Sequence, residues 1–346
     1  MSTFTRGMIY RPGKIELEQT EKRAPKEQEV LIRTESAAVC GGDLHMFRGL
    51  HPYVKFPCTI GHEVAGVVEA VGKDVKSVKI GDRVTAEPFM TCGECYWCKR
   101  GRYDYCMNLK LRYKNGYSGF GQYYYSDEKF THVLPDNVSL DVGSIMEPFA
   151  CAIHAVRKGE IGLGDTVCVI GDGPIALMMG RLSVLAGASK VFISGHHERN
   201  LMIAEKYGCI RVPVSGNDNI RDFLLEKTEG VGVDVAFEAV GVPETFNLSV
   251  MIPRRGGKAI IFGLFEEEFS AKPLVDAMTR EIAVIGSNSY CWDFQRGIEL
   301  VSSGKVDLNP LITDYYPLSR INDALTAKNT SKGRPIKIII KPWEEK

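Results

Sequence analysis

Apolar positions along this chain keep two different rhythms. Up to about residue 140, short β-branched runs (Val30–Arg33, Glu63–Val71, Arg83–Glu87 and Gln122–Ser126) are broken by turn signals such as Gly81–Asp82 and Pro135–Asp136–Asn137. That texture predicts an irregular, mainly-β domain. From about Asp165 strands and helices alternate. Thr166–Ile170, Lys190–Ser194, Val233–Glu238, Lys258–Phe262 and Ile282–Ile285 read as strands, while 174–186 and Asn200–Tyr207 carry apolar positions at helical spacing. The nearly unbroken apolar run Thr166–Ile170 suits a strand covered on both faces. Regular alternation of this kind predicts an α/β, doubly wound parallel sheet. Beyond about Tyr290 the pattern turns mixed again and closes on a strand-like Lys337–Lys341. The expected division is 1–150, 151–289 and 290–346.

Composition removes whole classes of function. The 346 residues hold 43 basic and 43 acidic side chains, so the formal net charge is zero, which argues against nucleic acid as a partner. No apolar run is long enough to span a membrane, and the N-terminal MSTFTRGMIY lacks an apolar signal core. A cytoplasmic setting is expected.

In a reducing compartment the ten cysteines are candidates for metal or catalytic work rather than for disulfides. Four of them, Cys92, Cys95, Cys98 and Cys106, fall within one lobe, about residues 89–110. Two-residue gaps let successive thiolates converge on one ion, and four sulfurs with no open position describe a structural zinc site. An iron–sulfur cluster uses similar ligands, but nothing else in the sequence supplies the redox role it would need.

After the strand Thr166–Ile170 comes Gly171-Asp172-Gly173-Pro174-Ile175-Ala176, a G-x-G-x-x-A match that opens a helix. The first glycine permits the tight turn, the second lets backbone approach a pyrophosphate, and the small last residue allows close strand–helix packing. The helix start then offers unpaired N–H groups to phosphate. Pro174 and Ile175 sit at that start. The acidic residue that would hold a ribose 2′-hydroxyl in an NAD enzyme falls on Gly195, within Ser194-Gly195-His196-His197-Glu198-Arg199. Its loss removes repulsion against a 2′-phosphate, which Ser194, His196 and Arg199 could contact, so NADP is favoured over NAD. Glu198 argues the other way. On this reasoning Asp at Gly195 should favour NAD.

Two weaker signals, Cys40-Gly41-Gly42-Asp43-Leu44-His45 and Gly61-His62-Glu63, complete a set. Together with the four-cysteine lobe and the glycine loop they resemble the zinc-dependent medium-chain dehydrogenases over nearly the whole chain. Glu147-Pro148 before Ala152-Ile153-His154-Ala155 is most similar to the sorbitol (polyol) dehydrogenase-like branch.

The resemblance implies a GroES-like catalytic domain, completed by residues 290–346, beside a Rossmann-type nucleotide domain. It implies a catalytic zinc on Cys40 and His62, with Glu63 or Glu147 completing the shell. With the lobe that makes two zinc ions per chain. His45 is the implied proton relay, although Gly42 stands where the family carries a hydroxyl residue. Ser289-Tyr290 replaces an Arg-Tyr pair, leaving Tyr53 and Tyr290 as pocket-wall candidates. His154 is expected to be a packing residue, and His51 and His132 ordinary loop or surface histidines.

The expected activity is hydride transfer between a secondary alcohol of a polyol, sugar alcohol (or its phosphate) or vicinal diol and a nicotinamide. The expected partners are a small-molecule substrate and further copies of the chain, as a dimer or tetramer. Two alternatives stay open. One is an L-threonine 3-dehydrogenase-like enzyme, and the other a non-catalytic zinc- and nucleotide-binding protein.

Overall fold

A computed structural model describes residues 2–51, 54–213, 220–266, 268–271, 273–327 and 334–344. The chain forms two compact units, Met1–Pro148 with Phe294–Lys346, and Phe149–Asp293.

The first unit is built on a seven-stranded sheet. Its path runs Ile312–Pro317, Lys337–Lys341, Glu29–Ala38, Glu63–Val71, Arg83–Ala86 and Thr131–Val133, with Tyr123–Asp127 also paired to Glu29–Ala38. Only the pair Ile312–Pro317 and Lys337–Lys341 is parallel. Val30, Ile32, Val64, Val68, Val84, Ile338 and Ile340 meet in its core. Close strand contact is bought by a missing side chain: a Cβ on Gly66 would stand 2.0 Å from the Arg33 carbonyl oxygen. An N-terminal hairpin, Thr3–Arg11 with Lys14–Glu21, adds a two-stranded sheet.

The helix Gly41–Arg48 starts with Cys40 as its N-cap. The Gly42 N–H donates to the Cys40 sulfur, and the Asp43 carboxylate accepts from the Cys40 N–H. This is a capping box with sulfur in the usual hydroxyl position, and it fixes where Cys40 points.

The second unit is the expected parallel sheet, ordered Ile210–Arg211, Lys190–Ser194, Thr166–Ile170, Val233–Glu238, Pro253–Ile261 and Ala283–Gly286. Val167, Cys168, Val169 and Ile170 are buried, as a central strand covered on both faces requires. The strand expected over Lys258–Phe262 begins earlier, at Pro253, and ends at Ile261. Gly256 and Gly257 masked its start in the pattern. Among the described residues no helix is long and apolar enough to cross a membrane.

Candidate active site

Glu63 opens the strand that pairs with Glu29–Ala38, His62 stands just before it, and Cys40 follows that partner strand. Adjacent strand ends therefore bring the three together: one ligand atom from each of Cys40, His62 and Glu63 lies within 4.8 Å of the others. Asp43 braces the group. Its fully buried carboxylate accepts from the Cys40 and Gly61 N–H groups, both at 3.0 Å, and lies 3.4 Å from His62 Nδ1. The His62 ring also rests against Tyr113, 4.8 Å between centroids.

Burial disfavours a charged His62, yet Asp43 and Cys40 outweigh it and raise the imidazole pKa well above its ordinary value. Buried Lys337 donates to Glu63 Oε2 and, at 3.1 Å, to the Val39 carbonyl. Glu63 Oε1 is buried and has no hydrogen-bond partner among the described residues. A thiol, an imidazole and a carboxylate with a spare acceptor match the donor set of a zinc site.

Glu147 is buried but lies outside the 4.8 Å set. Burial, with Glu63 and Asp43 adding, pushes its carboxyl up to about 7, against His62 and Lys337. His45 is half-buried on the helix after Cys40. A Cβ on Gly42 would stand 3.8 Å from the Cys40 sulfur, so the missing hydroxyl residue is not excluded by crowding.

The four-cysteine lobe closes as its spacing implies. The sulfurs of Cys92, Cys95, Cys98 and Cys106 lie within 4.8 Å of one another, and none is in a disulfide. Those of Cys92 and Cys106 are 3.5 Å apart. Zinc–sulfur bonds of about 2.3 Å at tetrahedral angles place sulfurs about 3.8 Å apart, so this donor set also suits the ion. The Cys98 and Met107 N–H groups lead in lowering the Cys95 thiol to about 6, while burial and the neighbouring sulfurs push Cys98 up to about 12.

At the glycine loop, Gly171 adopts φ 118° and donates to the Ser194 carbonyl at 2.9 Å. Gly173 caps the helix Pro174–Leu185, and nothing stands within 4 Å of where its Cβ would be. That open face suits a pyrophosphate. Asp172 fills the end of the next strand. Its Oδ2 accepts from the His196 and His197 N–H groups at 2.8 and 2.6 Å, and His197 Nδ1 is 3.0 Å away. Glu198 pairs instead with Arg211, at 2.7 Å. Ser194 is buried, whereas His196 and Arg199 are exposed.

The Asp172 contact corrects one expectation. A Cβ on Gly195 would fall 2.3 Å from the Asp172 Cβ and 2.5 Å from its Cγ. Gly195→Asp should therefore lower the thermal midpoint rather than switch the cofactor, and removing the Asp172 side chain as well should restore it.

Residues 26–136 match the model of the alcohol dehydrogenase GroES-like domain, and 174–303 that of the zinc-binding dehydrogenase. Sorbitol dehydrogenase of Bacillus subtilis (strain 168) is 31% identical over 339 residues, 97% of this chain and 96% of that protein. The chain belongs to the zinc-dependent medium-chain dehydrogenase family. L-Idonate 5-dehydrogenase of Vitis vinifera is 33% identical over 322 residues, 90% of this chain and 87% of that one. The structure of 2R,3R-butanediol dehydrogenase from Bacillus subtilis is similar with a TM-score of 0.88 and 27% identity, covering 98% of this chain and 99% of that one. Within the family the chain falls in the polyol dehydrogenase branch, as a GroES-like and a Rossmann-type domain and an NAD(P)-dependent oxidoreductase.

In this medium-chain dehydrogenase three supporting residues escaped the sequence pattern: Asp43, Lys337 and Asp172. Asp43 leaves a local trace, the C-x-x-D spacing of a capping box. Lys337 and Asp172 leave none, because their partners are distant in sequence. His154 is buried, its Nδ1 3.1 Å from Asp293. His132 is not an ordinary loop residue, since it lies in the strand Thr131–Val133, pairs with Glu87 at 2.7 Å and stacks on Phe294. Tyr290 is fully buried, and Tyr53 lies outside the described residues.

Proposed function

We propose that the chain oxidises a secondary alcohol of a polyol, sugar alcohol or vicinal diol, using one catalytic and one structural zinc and preferring NADP. The observation that carries this reading is the convergence of Cys40, His62 and Glu63 on one point. When bound, the zinc supplies Lewis acidity toward an alcohol oxygen and the nicotinamide accepts hydride.

The chain's own residues do the rest. Cys40 and His62 hold the ion, with Glu63 or Glu147 as the carboxylate. Asp43 orients His62, and a partner of that kind fixes ring orientation and raises ligand basicity. Lys337 restrains Glu63 through one oxygen and leaves the other available. His45, half-buried on the helix after Cys40, takes the proton that leaves the substrate hydroxyl. Gly42 contributes no hydroxyl to that route, so water or the substrate's own neighbouring hydroxyl bridges it. Tyr290 is assigned to the substrate pocket. Residues 1–150 with 290–346 are the catalytic domain, and 151–289 the nucleotide domain.

The NADP preference is supported by the pairing of both nearby carboxylates, Asp172 with His197 and Glu198 with Arg211. His196 and Arg199 remain to meet a 2′-phosphate. Self-assembly through the sheet edge at Ala283–Gly286 is supported by exposed Leu274, Val275, Met278 and Val284 around it. A cytoplasmic setting is supported by the cysteines, all ten of which stand outside disulfides.

The test is a spectrophotometric screen of polyols, sugar phosphates, vicinal diols and 3-hydroxy amino acids with NADP and NAD. Turnover of a polyol or diol, faster with NADP, is expected. Turnover confined to L-threonine would transfer the assignment to a 3-hydroxy amino acid, and a tenfold preference for NAD would remove the 2′-phosphate reading.

A further inference from the structure

The nucleotide loop follows the C-terminal end of the strand Thr166–Ile170. At the opposite, N-terminal end of the same parallel sheet lies a cleft of about 370 Å³. Four arginines line it: Arg221, Arg254, Arg255 and Arg280. They come from separate places, namely the start of the helix Ile220–Lys227, the start of the strand Pro253–Ile261, and the residue after the helix Leu274–Thr279.

Backbone carbonyls hold three of these guanidinium groups in place. Arg280 donates to the Met251 carbonyl at 3.0 Å and to that of Pro253. Arg255 donates to the Thr279 carbonyl at 3.0 Å, and Arg254 to that of Arg255 at 2.9 Å. Arg254 also has a carboxylate, Asp234, at 2.6 Å. Among the described residues neither Arg255 nor Arg280 has a carboxylate within ion-pair distance. Carbonyl bonds fix direction without cancelling charge, so the cleft concentrates positive potential in a chain of zero net charge. Burial and the neighbouring Arg221 and Arg255 lower the Arg280 pKa, outweighing nearby Asp276.

We propose that this cleft binds a phosphate group, free or carried on a small sugar ester, at a site separate from the nucleotide loop. Planar guanidinium forks suit bidentate contact with tetrahedral oxyanions. Backbone tethers reduce the side-chain entropy lost on binding. Phosphate would relieve the mutual repulsion of the arginines.

The test is calorimetric titration of inorganic phosphate, and separately of ribose 5-phosphate, into zinc-loaded enzyme. Sodium chloride at equal ionic strength is the control. One saturable event is expected, unaffected by Arg199→Gln at the nucleotide loop and weakened at least about tenfold by Arg255→Gln, since a charge-assisted contact to the phosphate is lost. Arg255 is exposed and its bond is to the last carbonyl of the helix Leu274–Thr279, which water can satisfy instead, so this variant keeps the fold. Arg221→Gln should weaken binding as well. The tighter of the two probes identifies the source of the group. Heat no different from sodium chloride, equal affinity in Arg255→Gln, or loss in Arg199→Gln instead would overturn the assignment.

Discussion

Two sulfur-bearing clusters sit in the same unit, and almost nothing about their surroundings is alike. Cys92, Cys95, Cys98 and Cys106 share one short segment in which backbone N–H groups lower the Cys92 and Cys95 thiols. Cys40, His62 and Glu63 instead come from separate strand ends and are hedged by Asp43, Lys337, Tyr113 and Glu147. The lobe spends all its donors on closure. The buried trio has mixed donors, a free carboxylate oxygen and charged neighbours that tune them, as a reactive ion needs. On the proposed reading the lobe carries stability and the trio carries chemistry.

The sharpest break comes from paired cysteine variants. Cys40→Ser should cut turnover about a thousandfold, since Lewis-acid stabilisation is worth several kcal/mol, while cofactor affinity stays near wild type and the thermal midpoint falls less than in the lobe variant. Cys95→Ser should do the reverse, lowering the midpoint while the folded fraction turns over normally. Equal effects on turnover would erase the distinction. Calorimetry and initial rates on the two purified variants decide it.

Protonation sharpens the contrast further. In the metal-free folded chain Glu147 titrates at about 7 against an ordinary 4.5, and His62 well above 6.5. The folded state therefore holds protons that the unfolded chain has released, and stability falls as pH rises from about 5 to 8. On the proposed reading, zinc bound at the trio would replace those protons. With the lobe still zinc-loaded, so that the lowered Cys95 thiol does not titrate in the opposite sense, the thermal midpoint of enzyme stripped at the trio alone should fall across that window while that of fully loaded enzyme stays flatter. Parallel curves would show that the buried groups are not the ones zinc displaces. A smaller effect is expected at Asp43→Asn, which keeps the shape but weakens the brace on His62. Zinc affinity at the trio should drop about 10–100-fold, as for other outer partners of metal ligands, with the lobe unaffected. Chelator competition measures both.

Much of this was legible in the residues, for physical reasons. Glu63–Val71, Thr166–Ile170 and Val233–Glu238 appear as strands with the bounds their patterns imply, because β-branched runs between turn signals have few other solutions. The cysteine lobe was legible because its ligands are close in sequence, and the glycine loop because strand, turn and helix confirm one another. The N-terminal hairpin went unseen: in Thr3–Arg11 the buried positions Phe4, Gly7 and Ile9 are unevenly spaced among exposed or half-buried residues, giving no clean alternation. Lys337 meets Glu63 across 274 positions, and Asp172 meets Gly195 only because the sheet brings a loop against a neighbouring strand end. Such contacts are properties of the fold, which a motif does not encode.

The role of the buried trio can be read most directly by anomalous diffraction at the zinc edge from crystals of the enzyme as purified. Two peaks per chain are predicted, one enclosed by Cys92, Cys95, Cys98 and Cys106, the other bonded to Cys40, His62 and one carboxylate, from Glu63 or Glu147. A peak in the lobe with none between Cys40 and His62 would contradict the account.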